Sequence, residues 1–101
     1  MKGLQKQVDD WTKDNGGYWK PHAILARLME EVGELAREVN HKFGPKKKKS
    51  TEGEKELGDE MADIIFTLIC LANSQKIDLD KYFAKMMQKL ISRDKDRWKK
   101  K

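Results

Sequence analysis

One cysteine in 101 residues rules out an intramolecular disulfide, and that residue, Cys70, lies in the apolar run Phe66 to Ala72, where it reads as a small buried hydrophobe. No apolar run approaches the roughly 20 residues that a membrane span requires. The opening stretch, Met1 to Lys6, lacks the apolar segment of a signal peptide. These absences lead to the expectation of a cytoplasmic protein with no membrane association. Catalytic signatures are equally scarce. There is no glycine-rich phosphate loop of the Walker type, no Cys/His spacing for zinc and no Ser/His/Asp order worth defending. The histidines His22 and His41 stand isolated and read as surface or helix-end residues. An enzyme built from this chain must therefore draw its chemistry from a metal.

Charge, by contrast, is abundant: 39% of the residues are charged and 38% apolar. The length fits one domain over residues 1–101, with no internal repeat and no linker. The apolar set suffices for one helical layer, and self-association would help to cover it. The net charge of +5 is unevenly spread, because Lys46 to Lys49 are consecutive and Lys99 to Lys101 close the sequence while the centre is acidic. Such runs read as solvated loops and tails. The functional alternative is attraction of an anion, either nucleic acid or a polyphosphate.

Apolar spacing divides the chain into helices over about residues 3–15, 21–41, 51–74 and 78–92, with a basic loop at 42–50 and a basic tail at 93–101. Leu4, Val8 and Trp11 mark the first helix, which Asn15, Gly16 and Gly17 stop. Tyr18 and Trp19 follow, either stapling the loop to the core or stacking on a planar ligand, and Pro21 suits the first turn of the next helix. Ile24, Leu28, Val32, Leu35 and Val39 carry the second helix to the stop at Phe43, Gly44 and Pro45. Thr51 with Glu54 reads as a capping box for the third helix, whose second half, from Ile64 to Ala72, is apolar nearly all round and is expected to be buried on most sides. Asp78 is a plausible N-cap for the fourth, in which Leu79, Tyr82, Phe83, Met86, Met87, Leu90 and Ile91 form a face for the core or for an oligomer contact. In the tail, Arg93, Lys95 and Arg97 either meet phosphates across a cleft or fray into solvent.

Two pairs of acids break this amphipathic pattern. Glu31 and Glu34 lie three apart on the second helix, and Glu60 and Asp63 three apart on the third. At that spacing each pair projects its oxygens from one helical face. Two such helices side by side form a cage of like charge, which is costly in a core unless a cation compensates, and an all-oxygen cage suits Mg2+ or Mn2+. Glu31 has Leu28 and Leu35 as helical neighbours, so it belongs at the core boundary. Glu56, Glu60 and Asp63 also form one row that runs into the most apolar part of the third helix, with Asp59 beside it, unlike a solvated face. Gly33 is unexpected inside a helix, where glycine costs about 1 kcal/mol against alanine; close approach of a partner helix or ligand would explain it.

Glu30, Glu31, Val32, Gly33, Glu34 and Leu35, followed beyond a basic loop by Glu60, Met61, Ala62, Asp63, Ile64 and Ile65, resemble the ExxE…ExxD signature of the MazG-type nucleotide pyrophosphohydrolases of the all-α NTP pyrophosphatase superfamily. The flanks from Ala26 to His41, Cys70 to Ser74 and Arg93 to Trp98 resemble its small single-domain members, so the likeness covers nearly the whole chain. Glu56 to Asp59 also fits ExxD; Glu60 and Asp63 are preferred because Asp63 leads directly into the apolar run at the family's spacing.

The resemblance implies an all-α bundle of four or five helices that forms a homodimer or homotetramer, and hydrolysis of a nucleoside triphosphate to the monophosphate and pyrophosphate. It implies Mg2+, with Mn2+ as a substitute, on Glu31, Glu34, Glu60 and Asp63, with Glu56 as a further ligand or in support. The metal would polarise the α-phosphorus and acidify a water. Trp19, Asn40 and Asn73 are candidates for the base, and Arg93, Lys95 and Arg97 for the phosphates. Two other readings compete: a non-catalytic metal-stabilised helical module, and a basic nucleic-acid-binding protein. A carboxylate di-iron bundle would want Glu-x-x-His pairs, which this sequence lacks.

Overall fold

A computed structural model describes residues 1–44 and 56–99, with side chains through Arg93. The run Lys46 to Lys49, the capping box at Thr51 and Glu54, and the side chains of Lys95 and Arg97 lie outside the described residues. Four helices follow one another: α1 (Lys2–Asp14), α2 (Pro21–Phe43), α3 (Leu57–Ser74) and α4 (Leu79–Lys99). There is no strand among the described residues.

Each boundary has a local cause. Past α1 the backbone turns left-handed at Gly16 (φ 99°) and Gly17 (φ 83°), and the Gly17 N–H donates to the Thr12 carbonyl at 2.9 Å. That closure satisfies a carbonyl the helix would otherwise orphan. Pro21 then opens α2 at its first position, behind an extended Lys20. At the far end the Gly44 N–H donates to the Asn40 carbonyl, so close that a Cβ on residue 44 would stand 2.6 Å from that oxygen. Helix α3 closes through Lys76 (φ 56°), with the Ile77 N–H on the Ala72 carbonyl at 2.8 Å. The Asp78 carboxylate accepts the Asp80 N–H at 3.1 Å, as expected of an N-cap.

Helix α3 is the spine, against which both α2 and α1 pack. The α1–α3 seam is polar. The Asn73 amide donates to the Gln5 carbonyl and the Tyr18 hydroxyl, both at 2.9 Å, and Gln5 donates in turn to the Asn73 side chain and the Ile77 carbonyl. The Tyr18 hydroxyl donates in its turn to Asp9 Oδ1 at 2.7 Å.

Among the described residues Ile24, Ile69 and Ala72 are the buried apolar ones, beside the buried polar Thr12, Glu31, Glu60 and Thr67. Two expectations need correction. The second half of α3 is covered less fully than expected: Thr67, Ile69 and Ala72 are buried and Ile64, Cys70 and Leu71 half-buried, but Ile65, Phe66 and Leu68 are exposed. With α1 and α2 on its flanks, α3 keeps an open face that no described residue fills. Helix α4 also runs beyond residue 92 to Lys99, because Ser92 to Lys99 contains neither glycine nor proline to stop it. It makes at most slight contact with the other helices. The radius of gyration is accordingly 17.3 Å, against about 13 Å for a compact chain of this length.

Candidate active site

The packing of α2 on α3 brings three carboxylates together. Oxygens of Glu31, Glu60 and Asp63 lie within 4.8 Å of one another. Glu31 is 3% exposed and Glu60 1%, whereas Asp63 faces the open side. The Arg27 Nε donates to Glu31 Oε1 at 2.7 Å, and the same guanidinium stands 3.6 Å from Glu30 on the solvent side. Glu31 Oε2 is buried without a hydrogen-bond partner. Buried carboxylates at this separation repel strongly in a medium of low polarity. Of the three, Arg27 pairs with Glu31. A divalent cation would meet both needs, supplying charge and a partner for the orphaned oxygen, and an all-oxygen donor set suits a hard ion.

Glu34, one turn after Glu31 on α2, is exposed and outside this group of oxygens. Glu56 is the exposed N-cap residue of α3 and is likewise not among the clustered oxygens. The α3 helix begins only after Glu56, so the row expected from Glu56 through Glu60 to Asp63 starts one turn too early.

A cleft of about 560 Å3 opens beside the carboxylates, within the usual range for small-molecule sites. Glu31, Asp63 and Arg27 line one part; Trp11, Tyr18, Trp19, Phe66 and Asn15 line another. Trp11 and Phe66 meet edge to face at 5.9 Å. Trp19 is 62% exposed at the cleft. The glycine turn after α1 reverses the chain and carries Tyr18 and Trp19 back past Trp11. Cys70 lines the cleft as well, and burial pushes its thiol up, which keeps it protonated and poorly nucleophilic.

The remaining candidates are not gathered here. Asn40 is exposed in the last turn of α2, Asn73 is committed to the α1–α3 seam, and Arg93 is exposed on α4. The cleft also takes in residues that are not among the candidates read from the sequence: Trp11, which there only marks the first helix, and Arg27 and Asn15. The available signal for Arg27 was its place four residues before Glu31, one turn away on the same face.

Four helices thus set a group of carboxylates that could hold a metal ion beside an aromatic cleft. Residues 19–98 match the model of the MazG nucleotide pyrophosphohydrolase domain, and the chain belongs to that family, as a hydrolase acting on nucleotides. It is 49% identical over 102 residues to the uncharacterized protein YpjD of Bacillus subtilis (strain 168), covering 100% of this chain and 92% of that one. The crystal structure of YPJD from Bacillus subtilis superposes with a TM-score of 0.78 at 47% identity, over 87% of this chain and 91% of that one. A Bacillus-conserved MazG protein, a nucleotide pyrophosphohydrolase, does so with a TM-score of 0.78 at 44% identity, over 94% of this chain and 93% of that one.

Proposed function

We infer that this protein hydrolyses a nucleoside or deoxynucleoside triphosphate between the α- and β-phosphates, releasing the monophosphate and pyrophosphate. The observation that carries the reading is the buried Glu31 and Glu60 with Asp63 at their open side, opening on a cleft with an aromatic wall. Glu31, Glu60 and Asp63 would hold Mg2+, or Mn2+ in its place, and Glu34 would join them by turning in from the next helical turn. When bound, the ion supplies charge for the phosphates and makes a water at the site acidic enough to act as nucleophile at neutral pH.

The residues of the chain do the rest. Trp11 and Trp19 give flat apolar surface for a base, whose face stacks on aromatic rings with little regard to its identity. Asn15 at the same wall offers an amide to the base edge. Asp63, exposed where Glu31 and Glu60 are not, is the carboxylate best placed to accept the proton of the attacking water.

The same reading gives the protein a cytoplasmic role in clearing nucleotide pools, without a nucleic-acid partner. It also makes the working form a homodimer or homotetramer. Support comes from the apolar side chains left exposed on α2, α3 and α4, among them Met29, Ile65, Leu68, Phe83 and Met86. Apolar exposure at so many large side chains is what an interface between copies would cover.

The test is product identification over a panel of NTPs and dNTPs with Mg2+, using EDTA and Asp63→Asn as controls. Monophosphate plus pyrophosphate, lost in both controls, is the expected result. Diphosphate plus phosphate, or no turnover with any nucleotide, defeats the reading.

A further inference from the structure

We propose that Arg27 is a displaceable counter-ion of the carboxylate centre, which holds Glu31 while no metal is bound and turns to the substrate's phosphates once a cation replaces it. The inference rests on the reading of Glu31, Glu60 and Asp63 as the metal site. Three observations point to it.

First, Arg27 satisfies half of Glu31: its Nε lies 2.7 Å from Oε1, while Oε2 is buried with no hydrogen-bond partner. A structural ion pair on a buried carboxylate would be expected to occupy both oxygens, as the guanidinium fork allows. Second, the two partners differ in freedom. Glu31's side chain is 4% exposed and Arg27's 51%, so the carboxylate is fixed and the guanidinium can swing. In the same conformation its other end stands 3.6 Å from the exposed Glu30, so the guanidinium already reaches toward solvent. Third, Arg27 lines the cleft together with Glu31 and Asp63, so a guanidinium released from Glu31 is already beside the space a polyphosphate would fill. A divalent ion outcompetes a single positive charge for Glu31, and an arginine set free there is a bidentate phosphate ligand.

The device makes metal and substrate binding cooperative. A cation that takes up both oxygens of Glu31 displaces Arg27 from Oε1, which weakens its affinity for the free protein, and the displaced arginine then strengthens phosphate binding. A merely structural Arg27 would act in the opposite direction, since losing it would misplace Glu31 and weaken the metal.

The experiment measures Mn2+ affinity, without nucleotide, for the wild type, Arg27→Ala and Arg27→Lys, by Mn2+ electron paramagnetic resonance. Arg27→Ala should bind Mn2+ about threefold to tenfold more tightly than the wild type, with Arg27→Lys between them. Affinity for an α,β-methylene nucleoside triphosphate at saturating Mg2+ should fall in the same order. The melting temperature of Arg27→Ala should lie below that of the wild type in EDTA, and the gap should close in saturating Mn2+. Unchanged or weaker Mn2+ binding by Arg27→Ala overturns the displacement, and unchanged analogue binding overturns the phosphate role. A wild type that binds no Mn2+ fails at the underlying metal reading, a separate and recognisable result.

Discussion

Helices α3 and α4 both carry apolar faces, yet α3 is packed by α1 and α2 while α4 is tied at its start, where Asp80 pairs with the N-terminal ammonium and accepts the Lys2 N–H and the Leu79 N–H donates to Gln5 Oε1. The difference lies in what surrounds each face. On α3, apolar residues alternate with groups that have specific partners: Glu60 in the carboxylate cluster, Thr67 donating to the Asp63 carbonyl at 2.9 Å, and Asn73 in the seam with α1. On α4, Tyr82, Phe83, Met86, Met87 and Ile91 are all exposed. Much of a helix's stability in a protein comes from packing its apolar face. The described residues thus form one more complete region, α1 to α3, which holds the site yet leaves Met29, Ile65 and Leu68 exposed, and a less complete one, α4, whose apolar face is left open.

The largest effects should come from the complete region. Glu60→Gln and Asp63→Asn each remove one charge from the centre with little change of shape, and turnover should drop at least about a hundredfold. Helical content measured by circular dichroism should be retained. Melting temperature should lose most of its rise on adding Mg2+, because an ion that binds only the folded state stabilises it by mass action. Full activity in Asp63→Asn would remove the site from these helices.

Placing a charge on the α4 face tests the other half. Phe83→Asp should lower the assembly state seen by light scattering and lower the melting temperature, while the carboxylate centre keeps its ability to bind Mn2+. An unchanged assembly would mean that copies of the chain meet through α2 and α3 instead, where Met29, Ile65 and Leu68 are also exposed.

How far the sequence discloses this arrangement depends on whether the physics is local. The four helices, the glycine stop after α1, the proline start of α2 and the Asp78 cap follow from short-range rules, and so does the burial of Glu31 between Leu28 and Leu35. The two acid pairs are legible as pairs. What is not legible is which members meet, since that depends on how far α2 and α3 slide past each other; spacing alone treats Glu34 and Glu31 alike. The cleft wall is hidden for the same reason, because Trp11 and Trp19 come together only through a left-handed turn at Gly16 and Gly17. Asn73, a candidate for the base in the sequence, has its amide on Gln5 and Tyr18, contacts that span 68 and 55 residues.

That seam yields a smaller effect that separates stability from substrate binding. Asn73→Ala removes the donor shared by Gln5 and Tyr18, and should cost about 1–3 kcal/mol of stability. If Asn73 serves the seam alone, KM for the best triphosphate should not change; a raised KM at unchanged stability would return it to the base. The seam also sets a pH range. The Tyr18 hydroxyl, and then Lys13, holds the Asp9 carboxyl below its ordinary 3.8, so its contribution is present above that value and is lost as pH falls through the lower folded one. Burial, and then the bond to Asp9, raises Tyr18 above 10.0, so its contribution is present below that value and is lost as pH rises through the higher folded one. Melting temperature followed against pH should therefore fall at both ends, and Tyr18→Phe should flatten the alkaline arm.

The smallest effect bears most directly on the contrast between the complete and the incomplete region. Gly33 sits between Glu31 and Glu34, and its cost inside a helix suggested that something approaches it closely. Within the described chain nothing does: no atom lies within 4 Å of where its Cβ would stand. Gly33→Ala should then raise stability by about 0.5–1 kcal/mol, the ordinary gain for glycine to alanine in a helix. The same variant can report on assembly. If a second copy packs its helix against this face of α2, the added methyl would meet it, and the variant would melt lower and dissociate more readily as concentration falls. A rise in melting temperature with unchanged assembly would assign the approach to the substrate, and its trace would be a higher KM with the carboxylate centre intact.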